Sequence, residues 1–198
     1  EQLHGLNIAL NLEEESAGPL SSVRSGILTA MKSTRERILS ADPKVGSSVF
    51  VAIDGHGGSG KSTLADLLGT QLGATVVHID EFAGLDNQDW WPDLIDRVFG
   101  PISEGASIVT YQPSSWGENH HPETVTKPVT PIMILEGVSS SRTEFADYIG
   151  FTIFVDTPAE VCLERGIARD TASGEDEAVV RRQWHDWFAE EMQYMERD

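Results

Sequence analysis

The stretch Val51-Ala52-Ile53-Asp54-Gly55-His56-Gly57-Gly58-Ser59-Gly60-Lys61-Ser62-Thr63-Leu64-Ala65 decides how this chain is read. Residues Gly55 to Ser62 fit G-x-x-x-x-G-K-[ST], with the apolar run 49–53 before them and a helical stretch, 62–72, after them. A phosphate cradle requires that order of strand, glycine loop and helix. Successive backbone N–H groups turn inward around a β-phosphate only where no Cβ obstructs the φ values or the close approach. That accounts for Gly55, Gly57, Gly58 and Gly60, with Ser59 among them. The helix N-terminus adds partial positive charge. Lys61 supplies a full charge to the β/γ oxygens, the Ser62 hydroxyl is the expected magnesium ligand, and Thr63 completes the expected nucleotide-binding set.

Outward from the loop, short apolar runs alternate with helical segments. The runs are 49–53, 75–79, 107–111, 132–135 and 151–155, each with little polar interruption. Strands buried on both faces have this appearance, and their alternation with helices predicts a mainly parallel sheet in an α/β domain. Two helix starts are expected at Ser141-Arg142-Thr143-Glu144 and Thr157-Pro158-Ala159-Glu160, both of which fit a capping box. A last helix is expected over about 175–196, after Gly174. Ile27, Leu28, Met31 and Ile38 predict a helix from 21 or 22 to about 39, ended by Asp42-Pro43 and Gly46. Residues 1–20, with the acidic triplet Glu13 to Glu15, read as a solvated, flexible lead-in. The chain therefore divides into an N-terminal segment and helix, 1–46, and a domain, 47–198.

The 198 residues, 39% hydrophobic and 23% charged, suit one globular domain with a small appendage. Acidic residues outnumber basic ones by 32 to 14, and the formal charge of -18 repels phosphate backbones and anionic headgroups. Nucleic acid and membrane are thus not expected partners. Cys162 is the one cysteine and has no internal disulfide partner. No basic region followed by an apolar run is visible, and a cytoplasmic protein is the expectation. Cys162 reads as a small core residue, and the oligomeric state stays open.

A phosphate loop leaves open what is done with the nucleotide. Guanine-specific switches need N-K-x-D, and none of the four asparagines, Asn7, Asn11, Asn87 and Asn119, precedes a lysine. A transporter-type signature is also missing, so the short length favours a kinase of small molecules. Asp80 and Glu136 each close an apolar run, at strand ends where open parallel sheets hold their ligands. Glu136 suits magnesium, directly or through water; which of the two acids lies nearer the metal is left open. Arg165 and Arg169 fall four apart on one helix face, and Arg181-Arg182 follow. Cationic side chains of a lid, expected near 165–182, would close over the triphosphate and exclude water.

The loop, together with His78-Ile79-Asp80-Glu81-Phe82, Ile134-Leu135-Glu136-Gly137-Val138 and Arg165-Gly166-Ile167-Ala168-Arg169-Asp170, resembles the uridine kinase and phosphoribulokinase family of phosphate-loop kinases. The resemblance covers 48–197. It implies a P-loop NTPase fold of the nucleoside-kinase type: three α/β/α layers around a mainly parallel sheet, with a short lid and, here, an extra N-terminal helix. It implies ATP and Mg2+ as cofactors and a small-molecule hydroxyl acceptor of nucleoside type. Asp80 becomes the general base, with Lys61 and Arg169 stabilising charge, Arg165 on the ATP side, and Ser62 and Glu136 on the metal. In the region the family uses for the acceptor lie Phe82, Tyr111 and Trp116, with Trp90, Trp91, His120 and His121. Phe82 and Tyr111 are the first expectations for stacking a base or sugar. Trp90 and Trp91 read as helix packing residues, Glu81 as a solvated or supporting acid, and the two histidines as surface residues.

The chain departs from typical uridine kinases at Ala83, where they carry tyrosine, and at Trp116, where they carry histidine. It also ends after the last helix, where related kinases continue into a further strand. Two rival readings stand beside the kinase of alcohols. A nucleoside monophosphate kinase would need more arginines than Arg97, with Lys127, in the acceptor region. The other is a regulatory protein that binds ATP without transferring phosphate.

Overall fold

A computed structural model describes residues 5–8, 33–83, 90–114 and 123–197. Five parallel strands form the central sheet: β1 (Gly5–Ile8), β2 (Val49–Asp54), β3 (Thr75–His78), β6 (Ile132–Glu136) and β7 (Ile149–Val155), in the order β1-β7-β2-β6-β3. Beside it stands a two-stranded antiparallel sheet of β4 (Ile108–Tyr111) and β5 (Val125–Pro128). The helices are α1 (33–39), α2 (Lys61–Leu72), α3 (Trp91–Leu94), which runs through a π-helical turn (Ile95–Phe99) into α4 (Gly100–Ser103), then α5 (Ala159–Ala172) and α6 (Glu177–Arg197).

Successive residues of β2 point to opposite faces, and the two faces have separate cores. Phe50 and Ala52 join Val77, Met133 and Leu135 beneath Leu94, Val98, Phe99 and Ile102. Val51 and Ile53 join Ile134 and Ile153 beneath Leu64, Ala65, Leu68 and Ile38. This is the expected three-layer α/β/α arrangement, and all six residues of β2 are buried. Because β2 lies between β6 and β7 with helices above and below, its apolar run shows no alternation.

Several expectations change. The run 107–111 forms no part of the parallel sheet; Ile108–Tyr111 pairs with Val125–Pro128 and buries alternate residues only. The Ser141 to Glu144 box starts no α-helix, only a 3-10 turn at Thr143–Phe145. At the second box the helix starts at Ala159 with no side-chain cap. In both places a hydroxyl read as a cap makes a long-range bond: Ser141 Oγ donates to Asp54 at 2.7 Å and Thr157 Oγ1 to the Ser59 carbonyl at 2.9 Å. Within the expected flexible lead-in, Gly5–Ile8 is the edge strand, parallel to β7. Of the expected N-terminal helix, 33–39 is described and the remainder lies outside the described residues, as do Glu13 to Glu15.

Helices α5 and α6 meet through Trp184, which is buried with Ile167 and Val180. A Cβ at Gly166 would stand 2.3–2.5 Å from the Trp184 ring. An indole has no small adjustment to offer, so Gly166→Ala is expected to displace Trp184 and destabilise the domain by about 1–3 kcal/mol, the usual cost of overpacking. Urea unfolding followed by tryptophan fluorescence measures it; an unchanged midpoint would refute the close contact.

Candidate active site

Strand β2 ends at the buried Asp54, and the loop begins at once. Asp54 accepts hydrogen bonds from Gly55 N (2.7 Å), Ser139 N (3.0 Å), Ser141 N (2.9 Å), Ser141 Oγ (2.7 Å) and Tyr194 Oη (2.8 Å). A carboxylate with 0% exposure needs such donors in place of water. The base of the loop is therefore tied to the turn after β6 and to α6. On the other side, a Cβ at Gly58 would meet the Cys162 carbonyl at 2.3 Å, and its φ of 79° is a left-handed value, so both space and conformation demand glycine. Cys162 itself is buried, as expected for a small core residue. Lys61, at the first turn of α2, donates from Nζ to the His56 carbonyl at 2.8 Å.

The acids gather beside α2. Glu136, the last residue of β6, is 5% exposed and accepts from Ser62 Oγ at 3.1 Å. Its other oxygen lies 2.7 Å from His78 Nδ1. Burial pushes the Glu136 carboxyl up, yet the His78 hydrogen bond, Lys61 and Ser62 together hold it below the usual carboxylate range. The same contact raises His78. Asp80 sits in the 3-10 turn Ile79–Glu81 directly after β3. Burial first, and then the Glu136 charge, push Asp80 up, against Lys61, His78 and Arg169. Two carboxylates that repel one another beside a lysine thus differ in proton affinity, the higher belonging to Asp80.

Ser62 and Glu136 suit a magnesium ion: a hydroxyl and an ionised carboxylate already within hydrogen-bond distance. Among the described residues no trio of His, Cys, Asp and Glu forms a metal cage. A cation there would draw its other ligands from phosphate and water, as magnesium does.

Arg165 and Arg169 both lie on the exposed side of α5. Arg169, with its side chain 69% exposed, pairs with Asp170 at 2.6 Å and stands 5.5 Å over the Trp184 ring. The Asp170 hydrogen bond raises its affinity for the proton, and Asp80 adds to this. Arg181 pairs with Glu177 one turn away, while Arg182 is exposed. The stretch expected as a lid therefore comprises the end of α5, a turn and the start of α6.

On the acceptor side, Phe82 and Tyr111 are 2% and 3% exposed and pack on one another with centroids 4.7 Å apart. They line the core, and neither offers a free ring face for stacking. The Tyr111 hydroxyl donates to Glu81 at 2.7 Å, and Glu81 also accepts from His78 N and pairs with Lys127 at 2.9 Å. Glu81 is thus a junction between β3, β4 and β5, the supporting rather than the solvated of the two roles expected from the sequence. Trp90 is buried and Trp91 carries the Arg142 guanidinium 3.8 Å over its ring, which fits packing roles. Trp116, His120 and His121 lie outside the described residues.

Sequence reasoning passes over Asp54, His78 and Glu191. Asp54 looks like the end of a strand, and nothing local marks it as a junction. His78 stands two residues before Asp80, and its partner is 58 positions away. Glu191 is one acid among many on α6, and its contacts with the loop span 134 and 135 positions.

Comparisons with known proteins point to one family. Residues 80–196 match the family described as "Phosphoribulokinase / Uridine kinase family". The chain is 29% identical over 147 residues to a uridine kinase of Escherichia coli strain K12, covering 62% of this chain and 68% of that protein. It is 27% identical over 179 residues to uridine kinase-like protein 3 of Arabidopsis thaliana, covering 79% of this chain and 38% of that one. Among solved structures, a possible uridine kinase from Bacillus stearothermophilus superposes with a TM-score of 0.57 at 19% identity, over 87% of this chain and 96% of the other. That last likeness concerns the fold alone. The match over residues 80–196 takes in most of the acid cluster and both arginines of α5, and on it the chain belongs to the phosphoribulokinase and uridine kinase family.

Proposed function

We propose that this protein is an ATP-dependent kinase that moves the γ-phosphoryl group to a hydroxyl of a small molecule of nucleoside type. The observation that carries the reading is the convergence of Lys61, the Ser62–Glu136 pair and the raised carboxyl of Asp80 at the ends of β2, β6 and β3. Phosphoryl transfer asks a protein for positioning and charge rather than covalent chemistry, and these groups supply both. Lys61 has two N–H donors left for β/γ oxygens beside the one given to His56. Ser62 and Glu136 would hold magnesium, whose charge offsets that of the phosphates. Asp80 accepts the proton of the acceptor hydroxyl as its oxygen bonds to the γ-phosphorus and the bond to the β-bridging oxygen breaks. Arg169, exposed on α5 and within the field of Asp80, stabilises charge on the group in transit.

The cations near the acceptor region are engaged. Lys127 pairs with Glu81 and Arg97 with Asp93. A phosphate-bearing acceptor would find neither free, which favours an alcohol over a nucleoside monophosphate. Among the described residues no helix is long and apolar enough to cross a membrane.

An ADP-release screen with magnesium-ATP against nucleosides, sugars and nucleoside monophosphates tests the proposal. Turnover is expected with a nucleoside-type alcohol, and ATP binding without turnover on any acceptor would favour the regulatory reading. Asp80→Asn is expected to lower kcat by about 10²-fold or more, the usual contribution of a general base, with ATP binding kept. Because the base acts only when ionised, kcat falls as pH drops through its pKa. That acid limb should lie above the one an ordinary aspartate gives, and Asp80→Asn should lack it. Glu136→Gln is expected to raise the magnesium concentration for half-maximal rate at least tenfold, read from a magnesium titration at saturating ATP.

A further inference from the structure

Helix α6 lays one face against the loop, and its contacts centre on a single peptide unit. The Gly57 N–H donates to the Glu191 carboxylate, at 3.1 Å to Oε2 and 3.3 Å to Oε1. The carbonyl of that same peptide, His56 C=O, accepts from Lys61 Nζ at 2.8 Å. No peptide bond in the described chain is cis. In a planar trans peptide the C=O and N–H point in opposite directions, so the bond to Glu191 on one side fixes the aim of the carbonyl on the other. The His56 side chain is held by the same acid: Nδ1 lies 3.0 Å from Glu191 Oε2, and the ring stacks on Phe188 at 4.5 Å. Both His56 and Glu191 are mostly buried, which limits competition from water.

We propose that Glu191 is a positioning residue for nucleotide binding: it holds the His56–Gly57 peptide so that its carbonyl keeps the Lys61 ammonium aimed into the phosphate cradle. The Gly57 N–H is correspondingly committed to α6, and the cradle's inward amides start after it, which removes Gly57 from the expected phosphate ligands. The final helix is then part of the nucleotide site, acting at one remove through a peptide group. This inference rests on the kinase reading only in taking the ligand to be ATP.

Equilibrium ATP binding in a double-mutant cycle tests it without requiring transfer. Glu191→Ala is expected to weaken ATP binding about tenfold at a temperature where circular dichroism shows the variant folded. In a Lys61→Ala background the same change should cost less than about twofold, because the residue through which Glu191 acts is gone. Glu191→Gln, which keeps an acceptor oxygen, should cost no more than about threefold; it provides the same cycle if Glu191→Ala does not fold. Unchanged binding in Glu191→Ala, or an equal loss in both backgrounds, would overturn the proposal, as would a Glu191→Gln loss as large as that of alanine. If the wild-type protein binds no ATP, the kinase reading fails by itself. The positioning claim is then read from the Lys61 ammonium 15N resonance, expected to lose its hydrogen-bonded shift in Glu191→Ala and refuted if it stays in place.

Discussion

A single buried carboxylate organises the loop end of this molecule. Asp54 closes the central strand, and its two oxygens gather donors from the first loop residue, from the turn after β6 and from α6. An ion in the interior is tolerated only when its hydrogen-bonding capacity is filled, so the three segments cannot drift independently without exposing a bare charge. The loop inherits its starting direction from this junction. Lys61 and Ser62 lie at the other end of the same loop, and their placement beside Glu136 depends on both ends being held.

The family relation rests on the part of the chain that follows the loop. The matched segment covers the acid-bearing turn, the acidic strand end and the α5 arginines, while the glycine loop lies before it. The side of the site where an acceptor is expected has a different character. Phe82 and Tyr111 have turned into the core, and the Tyr111 hydroxyl is engaged by Glu81, which also neutralises Lys127. The wall on that side of the site is a closed polar network, whose shape is set by β4 and β5 as much as by β3.

Much of this was legible in the residues, for a physical reason. Runs such as 132–135 announce strands because burial on both faces removes polar side chains. The loop announces itself because few other structures need so many glycines before a lysine. Asp80 and Glu136 followed, since a strand's end can be read where its apolar run stops. The failures share a cause as well. Ser141 and Thr157 have the local pattern of helix caps, but their hydroxyls bind Asp54 and the Ser59 carbonyl across the fold. Glu191, His78 and Glu81 act through partners distant in sequence, and a one-dimensional pattern holds no record of those. The strand Gly5–Ile8 is too short for alternation to show, and it lies on the sheet's edge, where burial leaves the weakest imprint.

That edge strand has a consequence for how the chain assembles. Gly5 to Ile8 pair with Thr152 to Val155, so one rim of the sheet joins residues 147 positions apart. Closing so large a loop is entropically slow and is repaid only once β7 is in place. During synthesis Gly5 to Ile8 leave the ribosome well before β7 and must wait for it before they find their partner. Until then β7 presents a bare row of amides and carbonyls to any extended chain nearby, and the arrival of β1 ends that exposure.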